Sequence, residues 1–226
     1  MEDNKKIAIA IDGPAGAGKS TIARIISETL NILYLDTGAM YRTVALRAIR
    51  DGIDTRSQDE LKQMIENINI KVTYSDNKQH IFLDEEDVTE LIRTSEVSIG
   101  ASNVAVVPEV RIRMVEIQRQ IASQNSVVMD GRDIGTYVLP DAEFKFFLNA
   151  SLEERAKRRY KEQLLKGITG TSLEEVKKDM EYRDKNDSSR EFAPLCKATD
   201  AIEIDTTNMS IENVVDKILG YIKSYV

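Results

Sequence analysis

Residues 13–20 constrain the chain more than any other stretch, because glycines, a lysine and a serine stand there at a fixed spacing. Gly13, four further residues and then Gly18-Lys19-Ser20 fit the G-x-x-x-x-G-K-[ST] pattern of a phosphate-binding loop. Glycines let backbone N–H groups turn inward as donors for β-phosphate oxygens. Lys19 places a charge between the β- and γ-phosphates, Ser20 offers a hydroxyl to Mg²⁺, and the following helix directs its positive end at the same anion. The sequence therefore predicts a nucleoside triphosphate site.

The segments on either side of this loop support that interpretation. An uninterrupted apolar run, Ile7-Ala8-Ile9-Ala10-Ile11, precedes it and is typical of a strand buried on both faces of a parallel sheet. After it, Ile22, Ile25, Ile26 and Leu30 keep the spacing of one helix face. Strand, loop and helix in this order predict an α/β fold of the P-loop NTPase type, with a parallel sheet flanked by helices.

A dinucleotide-binding fold is an alternative, because Asp36 ends a second short strand, residues 32–35, where a ribose-binding acid would lie. Gly13, Gly16 and Gly18 do not form the G-x-G-x-x-G pattern that such a fold needs. The dinucleotide-binding motif also does not include the lysine and serine that follow Gly18. We therefore favour the triphosphate site.

The length and charge of the chain limit its organisation and its partners. At 226 residues with 42% hydrophobic content, residues 1–226 can form a single domain around one large core. The net charge of −7 disfavours polymeric nucleic acid and anionic membranes, although arginines can still dominate a small cleft. Cys196 is the only cysteine, so no disulfide can form within the chain. The polar residues 1–6 do not read as a signal peptide and no apolar run reaches transmembrane length, so we expect a cytoplasmic protein. We also expect a monomer.

The second predicted strand leads into a helix that we expect to face the cleft. Thr37 can cap this helix, and Arg42 lies one to two turns inside it. A strand ending beside the phosphate loop brings its following helix towards the same cleft, so Arg42 is a candidate anion ligand. A further helix is predicted over residues 57–67.

The pattern then changes from helical spacing to alternation. Alternating apolar and polar residues predict strands at 70–74 and 80–84, joined by turn signals at 75–78. We interpret them as an antiparallel hairpin within an inserted subdomain that spans residues 53–97. His80, the only histidine, lies in this hairpin and is expected to be structural, because the sequence places no carboxylate or nucleophile beside it.

A second cluster of charge follows the helical part of the chain. Helical periodicity over residues 87–107 and a helix beginning at Pro108 lead to a buried strand, residues 126–130. This strand ends in Asp130, a position from which a carboxylate often holds the water of Mg²⁺. Gly131-Arg132-Asp133-Ile134-Gly135 follows at the carboxyl end of the strand, where ligands of open α/β sheets bind.

A basic helix followed by a flexible connector predicts a lid. Ser151 and Glu154 form a capping box for a helix over residues 152–165, which is rich in arginine and lysine. A connector over residues 167–171, with glycine at 167 and 170, joins it to the next helix, as in a lid that lowers arginines onto a triphosphate. We assign residues 155–171 to this lid. The other predicted elements are a strand over 143–148, a helix from Ser172 that carries Arg183, Asp187 and Arg190 towards its end, a strand over 201–204 and a helix over 211–222.

Arginines at several of these positions indicate a reaction between two phosphate-bearing substrates. Switch GTPases carry an Asn-Lys-x-Asp motif, and the nearest segment here, Asn77-Lys78-Gln79-His80, lacks the final acid. Phosphoryl transfer between nucleotides needs charge neutralisation, in-line positioning and exclusion of water rather than a general base, since a nucleotide phosphate is already ionised. We therefore expect a nucleotide kinase, with a nucleotide-dependent switch protein as the alternative from another class.

Four motifs together resemble those of the bacterial cytidylate kinase family, in the same order and across nearly the full length. The resemblance implies transfer of the γ-phosphoryl group of ATP to CMP or dCMP with the help of Mg²⁺; UMP or AMP as acceptor is the nearest alternative. The hairpin insertion is similar to the enlarged monophosphate-binding region of the bacterial enzymes. The motifs are Asp12-Gly13-Pro14-Ala15-Gly16-Ala17-Gly18-Lys19-Ser20, Asp36-Thr37-Gly38-Ala39-Met40-Tyr41-Arg42, Asp130-Gly131-Arg132-Asp133-Ile134-Gly135 and Arg190-Glu191-Phe192-Ala193-Pro194-Leu195.

The resemblance also implies roles for single residues. A carboxylate at Asp133 would accept from the 4-amino group of cytosine, whereas the 4-carbonyl of uracil would present a second acceptor to it. The implied ATP ligands are Gly13, Pro14, Ala15, Gly16, Ala17, Gly18, Lys19, Ser20 and Thr21, with Ser20 at the metal. The implied CMP ligands are Thr37, Arg42, Ser102, Arg111, Arg132, Asp133, Asp187 and Arg190, and the implied catalytic residues are Lys19, Arg132, Arg155, Arg159 and Arg183.

Overall fold

The computed structural model describes residues 6–75, 78–165 and 167–224 and contains two sheets. The strands are β1 (Ala8–Asp12), β2 (Leu33–Asp36), β3 (Ile70–Ser75), β4 (Lys78–Leu83), β5 (Glu86–Asp87), β6 (Val127–Gly131), β7 (Phe144–Asn149) and β8 (Ile202–Asp205). The larger sheet has the order β2-β6-β1-β7-β8 with every neighbouring pair parallel. The smaller sheet has the order β3-β4-β5 and is antiparallel.

Eight α-helices are present in the described ranges, and they cover both faces of the large sheet. A single 3₁₀ turn (Leu91–Arg93) precedes the fourth helix, and a π-helical turn (Ile134–Val138) follows β6. The helices are α1 (Lys19–Leu30), α2 (Thr37–Arg50), α3 (Gln58–Glu66), α4 (Ser95–Val104), α5 (Pro108–Gln124), α6 (Leu152–Leu165), α7 (Leu173–Ser189) and α8 (Ile211–Lys223).

Strand β1 explains why the large sheet has apolar contacts on both faces. Side chains alternate between the faces of a strand, so Ile9 and Ile11 pack with α1 and α8, while Ala10 faces the core that contains α2 and α5. All three side chains are fully buried. The uninterrupted apolar run thus has the role that the sequence predicts for it, and the predicted parallel sheet flanked by helices is confirmed.

The beginning of α2 differs from the prediction that Thr37 caps it. The carboxylate of Asp36 accepts the backbone N–H of Ala39 at 2.9 Å, so the cap lies one residue earlier. Thr37 is the first helical residue, and its hydroxyl donates to the carbonyl of Asp130 at 2.7 Å. The prediction was wrong because aspartate is at least as good a cap as threonine, and the threonine hydroxyl is used between β2 and β6.

Continuous helical structure over residues 87–107 was also wrongly predicted. Asp84 and Glu85 have φ angles of 47° and 74°, which turn the chain back so that β5 pairs with β4. Asp87 therefore lies in a third strand rather than in a helix. The α-helix begins only after Thr94, whose hydroxyl caps it by accepting the N–H of Val97 at 3.2 Å.

His80 has partners that the sequence did not indicate. Its Nδ1 lies 3.1 Å from Asp87 Oδ2 and its Nε2 lies 2.9 Å from the Ser75 hydroxyl, because strand pairing in the small sheet brings the three together. Three predicted features fall partly outside the described residues: the turn at 75–78, where 76 and 77 are affected, the lid at residue 166, and residues 1–5 of the amino terminus.

The β4–β5 turn gives a prediction about stability. Two successive residues with positive φ are typical of a type I′ turn, in which glycine is favoured over side chains that carry a Cβ. We expect Glu85→Gly to raise the free energy of unfolding by about 0.5–1 kcal/mol, measured by urea denaturation. The matched control is Glu90→Gly, where φ is −89° and glycine should lower stability. A loss of stability in both variants would contradict the assigned turn.

Candidate functional site

A cleft of about 1130 Å³ opens at the carboxyl ends of β1, β2 and β6. The loop before α1 forms one wall, and the beginning of α2, the loop after β6 and one face of α7 form the other. This is the edge at which ligands of open α/β sheets bind. The volume exceeds that of a pocket for one drug-sized molecule, so two nucleotides are reasonable occupants.

The loop of residues 13–18 is a backbone cradle in which glycine is required. Gly13 has a φ of 148°, and a Cβ there would lie only 2.0 Å from the carbonyl oxygen of Leu148. Gly18, with a φ of 87°, leads directly into α1. The loop thus places backbone N–H groups and the positive end of α1 together, as the sequence predicts.

Asp12 ties this loop to the segment after β6. Its buried carboxylate accepts the N–H groups of Ile134 and Gly135, both at 2.8 Å. Burial raises the pKa of Asp12 to about 6, although these two hydrogen bonds act in the opposite direction. Asp12 thereby fixes the carboxyl end of β1 relative to the segment that follows β6.

Lys19 is a cation at the bottom of the cleft. Its side chain is 5% exposed, and Nζ donates to the carbonyl of Pro14 at 2.8 Å. Burial, followed by the charge of Arg132, lowers the pKa of Lys19 to about 7, while Asp130 acts to raise it. A nearby anion would stabilise the charged form of this buried lysine.

Asp130 and Ser20 form the oxygen-rich part of the cleft. Ser20 donates its hydroxyl to Asp130 Oδ2, and Tyr34 donates its hydroxyl to Oδ1, both at 2.8 Å. Burial and then the neighbouring Asp36 raise the pKa of Asp130. Hydroxyl and carboxylate oxygens are ligands that Mg²⁺ accepts, so the donor set fits this ion. Among the described residues, no group of three or more acidic, histidine or cysteine side chains could hold a metal ion.

Three arginines, which we call the arginine cluster, converge on the opposite wall: Arg42, Arg132 and Arg183. Arg42 pairs with Asp36 at 2.8 Å, and Arg132 pairs with Asp187 at 2.6 Å. Burial and then the charge of Arg132 lower the pKa of Arg183 to about 10. The Nε atoms of Arg42 and Arg183 are buried without a hydrogen-bond partner in the described part of the chain.

The charges around Asp187 are mainly positive. Burial acts to raise the pKa of Asp187, but Arg132, Arg190 and Arg183 outweigh it and lower that pKa. One carboxylate is thus shared among three guanidinium groups. An added phosphate would relieve the repulsion between the cations.

A second group of charges, the Asp133 cluster, consists of Asp133, Arg111 and Arg190. One carboxylate oxygen of Asp133 accepts from Arg111, and the other accepts from Arg190 at 3.3 Å. The arginine side chains are 1% and 2% exposed, so the three form a buried network at the edge of the cleft. The guanidinium of Arg111 also lies over the ring of Tyr41, 5.4 Å from its centroid. Ser102 lies nearby and accepts from Asn186 at 3.4 Å.

Of the two predicted lid arginines, only one lines the cleft. Arg159 does so and pairs with Glu162 at 3.1 Å. Arg155 instead lies behind the phosphate loop, where its guanidinium donates to the carbonyl of Ala15 at 2.9 Å and pairs with Asp184 at 2.7 Å. A contact between Arg155 and donor phosphates would require it to leave these partners, so that role stays a prediction.

The structure thus gathers nearly all predicted site residues around one cleft and adds several that the sequence did not indicate. Asp184 accepts the N–H of Ala15 at 3.3 Å, although the two residues are 169 positions apart and no motif links them. Tyr41 stands beside Arg42 in a quoted motif, which was the only available signal for it. Arg158 lines the cleft and donates to the carbonyl of Thr206 at 2.6 Å.

None of the described helices is long and apolar enough to span a bilayer.

Comparison with known proteins gives consistent matches. The sequence model of the family described as cytidylate kinase matches residues 9–224. A protein named cytidylate kinase from Clostridioides difficile (strain 630) is 56% identical over 216 residues, which cover 96% of this chain and 98% of that protein. A protein of the same name from Bacillus thuringiensis (strain Al Hakam) is 49% identical over 219 residues, 97% of each chain. A solved structure of an uncharacterized protein from Eubacterium ventriosum ATCC 27560 is similar in fold alone, with a TM-score of 0.53 at 18% identity over 97% of this chain and 99% of that one.

Proposed function

The chain belongs to the cytidylate kinase family, and we propose that its cleft holds ATP and CMP end to end, between the phosphate loop and the arginine cluster. The enzyme transfers the γ-phosphoryl group of ATP to CMP and releases ADP and CDP. One observation supports the arrangement above all. Lys19 and the arginine cluster line a single cleft, where the charge of Arg132 acts to lower the pKa of Lys19, so bridging phosphates would offset the positive charge on both sides.

For the donor, we propose that the loop from Gly13 to Thr21 holds the triphosphate of ATP. Backbone N–H groups would bind the β-phosphate, and Lys19 would lie between the β- and γ-phosphates. Exchange of the Pro14 carbonyl for phosphate oxygens gives Lys19 a stronger, charged partner. The clamp of Asp184 and Arg155 on Ala15 supports the loop from behind.

Ser20, and Asp130 through water, would hold Mg²⁺ together with phosphate oxygens. When bound, the ion neutralises charge on the β- and γ-phosphates. The Ser20 hydroxyl donates to Asp130 in the described structure and can turn its lone pairs to a cation.

For the acceptor, we propose that Arg42, Arg132 and Arg183 bind the phosphate of CMP. Asp36 and Asp187 orient the first two arginines and leave further N–H groups available. Guanidinium groups suit this task because their fork of donors matches phosphate oxygens. Thr37, Asp187 and Arg190 complete the proposed CMP site on the phosphate and sugar side.

The Asp133 cluster is the proposed site for the base. A carboxylate there accepts from the 4-amino group of cytosine, whereas uracil offers a carbonyl oxygen that the carboxylate repels. Arg111 and Ser102 would contact the remaining polar edge of the ring. Because Asp133 is already fixed by two arginines, it needs little reorganisation when the base binds.

The chemical step then needs no general base. The phosphate of CMP is an ionised nucleophile, and the enzyme aligns it with the γ-phosphorus while cations offset the charge of the transition state. Lys19, Arg132 and Arg183 are the proposed stabilising groups, joined by Arg159, and by Arg155 if it leaves Ala15. We propose that residues 155–171 close as a lid that excludes water and that residues 53–97 form the monophosphate-binding insert. We further propose a cytoplasmic monomer with ATP and CMP or dCMP as partners.

A panel of nucleoside monophosphates tests this function. With ATP and Mg²⁺ constant, ADP release should rise steeply with CMP or dCMP and much less with UMP or AMP, measured in a coupled assay. Membership of the family disfavours the two alternatives, another monophosphate as acceptor and a nucleotide-dependent switch protein that hydrolyses slowly. A preference for UMP or AMP would contradict the base assignment. ADP release that does not depend on any of the monophosphates would contradict the proposed kinase activity.

A further inference from the structure

Gln79 belongs to strand β4 of the small sheet, yet its side chain reaches the large sheet. Its carboxamide oxygen accepts the backbone N–H of Asp36 at 2.8 Å, and its amide nitrogen donates to the carbonyl of the same residue at 3.4 Å. β2 is an edge strand of the described sheet, so the outer polar groups of its backbone face no further strand. The Gln79 side chain takes the place of that strand at the last residue of β2.

Asp36 is also the residue through which Arg42 is oriented. One carboxylate oxygen accepts from Ala39 and caps α2, and the other accepts from Arg42 Nη2 at 2.8 Å. Gly38 leaves room for this pair, since a Cβ there would lie 3.1 Å from both Asp36 Oδ1 and Arg42 Nη1. The direction of the Arg42 guanidinium thus depends on the backbone position of Asp36.

We propose that Gln79 is a positioning residue for the acceptor phosphate, because it fixes the backbone of Asp36 and thereby the guanidinium of Arg42. The inference rests on the proposed function, since it assigns Gln79 to the acceptor half of the same site. A side chain that mimics a strand at both the N–H and the C=O of one residue restrains that residue in two directions. A packing contact alone would not engage the N–H and the C=O of Asp36.

The contact also joins the insert to the acceptor site. At the other end of α2, Arg47 pairs with Asp84, and Arg50 pairs with Glu86 at 2.5 Å. These pairs are partly exposed and contribute little individually, but they attach the same small sheet to the same helix. Gln79 therefore links the position of the insert to that of Arg42, the proposed ligand of the acceptor phosphate.

Steady-state kinetics of Gln79→Ala test the proposal. We expect the KM for CMP to rise about tenfold, the loss typical of one misplaced polar contact, with the KM for ATP within about twofold of wild type. Gln63→Ala, an exposed glutamine on α3, is the matched control and should change neither value. Urea denaturation of each variant verifies that the fold is retained.

A second experiment separates positioning from general stability. In an Arg42→Ala background there is no guanidinium to orient, so adding Gln79→Ala should cause no further rise in the KM for CMP. The same rise in both backgrounds, an equal rise for ATP and CMP, or no rise at all would overturn the inference. A wild-type enzyme without CMP-dependent turnover would instead overturn the proposed function, so the two failures are distinguishable.

Discussion

Lys19→Ala is expected to lower kcat by about 10³-fold or more, because the proposed arrangement places this cation between the β- and γ-phosphates of ATP. The fold should persist. Lys19 is a buried cation whose pKa burial lowers to about 7, so its removal also removes an unfavourable charge. Single-turnover kinetics with saturating ATP and CMP measure the chemical step, and circular dichroism verifies the fold.

Two further variants make this result specific. Lys19→Met keeps most of the side-chain volume without the charge and should lose as much activity as the alanine variant. Lys185→Ala removes an exposed lysine of α7 and should leave kcat unchanged. If Lys19→Met retained the turnover of wild type, the assignment of the loop to the donor phosphates would be wrong.

The second large effect is expected for Asp133→Ala, which should raise the KM for CMP by about 10²-fold or more while the KM for ATP changes within about twofold. Arg111 and Arg190, which are 1% and 2% exposed, also lose their shared carboxylate. Unpaired buried charges are costly, so the free energy of unfolding should fall by about 3–5 kcal/mol. Kinetics and urea denaturation of the same preparation report the two losses separately.

Asp133→Asn tests base recognition without changing the shape of the side chain. Its amide presents both a donor and an acceptor, so discrimination between CMP and UMP should weaken. Asp141→Ala, an exposed aspartate after β6, is the control and should alter neither nucleotide. Equal losses of CMP and ATP binding in Asp133→Asn would place recognition of the base elsewhere.

The fold was largely predictable where the signal is local. The apolar run before the loop predicts β1 because its side chains must be buried on both faces of a parallel sheet. The helix predicted over residues 152–165 is α6, although only half of the predicted capping box forms: Ser151 accepts the N–H of Glu154, while its own N–H donates to Thr207. The prediction failed at residues 87–107, where Asp84 and Glu85 adopt positive φ without the glycine that usually signals such a turn. It also failed at Thr37, since two adjacent residues can each cap a helix and only one of them does so.

The site was predictable as a set of residues but not as a set of contacts. Lys19, Arg42, Arg132 and Asp133 were identified from motif spacing and from the resemblance, and the structure places all four on one cleft. Arg155 has the residue type of a lid arginine, yet it lies under the phosphate loop. Residue type predicts charge, whereas orientation depends on the helix to which the residue is attached.

The sequence by itself determined the phosphate loop, the parallel sheet and the positions of the charged groups, because glycine spacing and hydrophobic period act between residues that are close in the chain. Only the tertiary structure decided which charges meet. Arg132 is 55 positions from Asp187, and Gln79 is 43 positions from Asp36. Such pairs form only when strands and helices pack. Whether a hydrogen bond forms then depends on the distance between two atoms, and a residue pattern along the chain does not specify that distance.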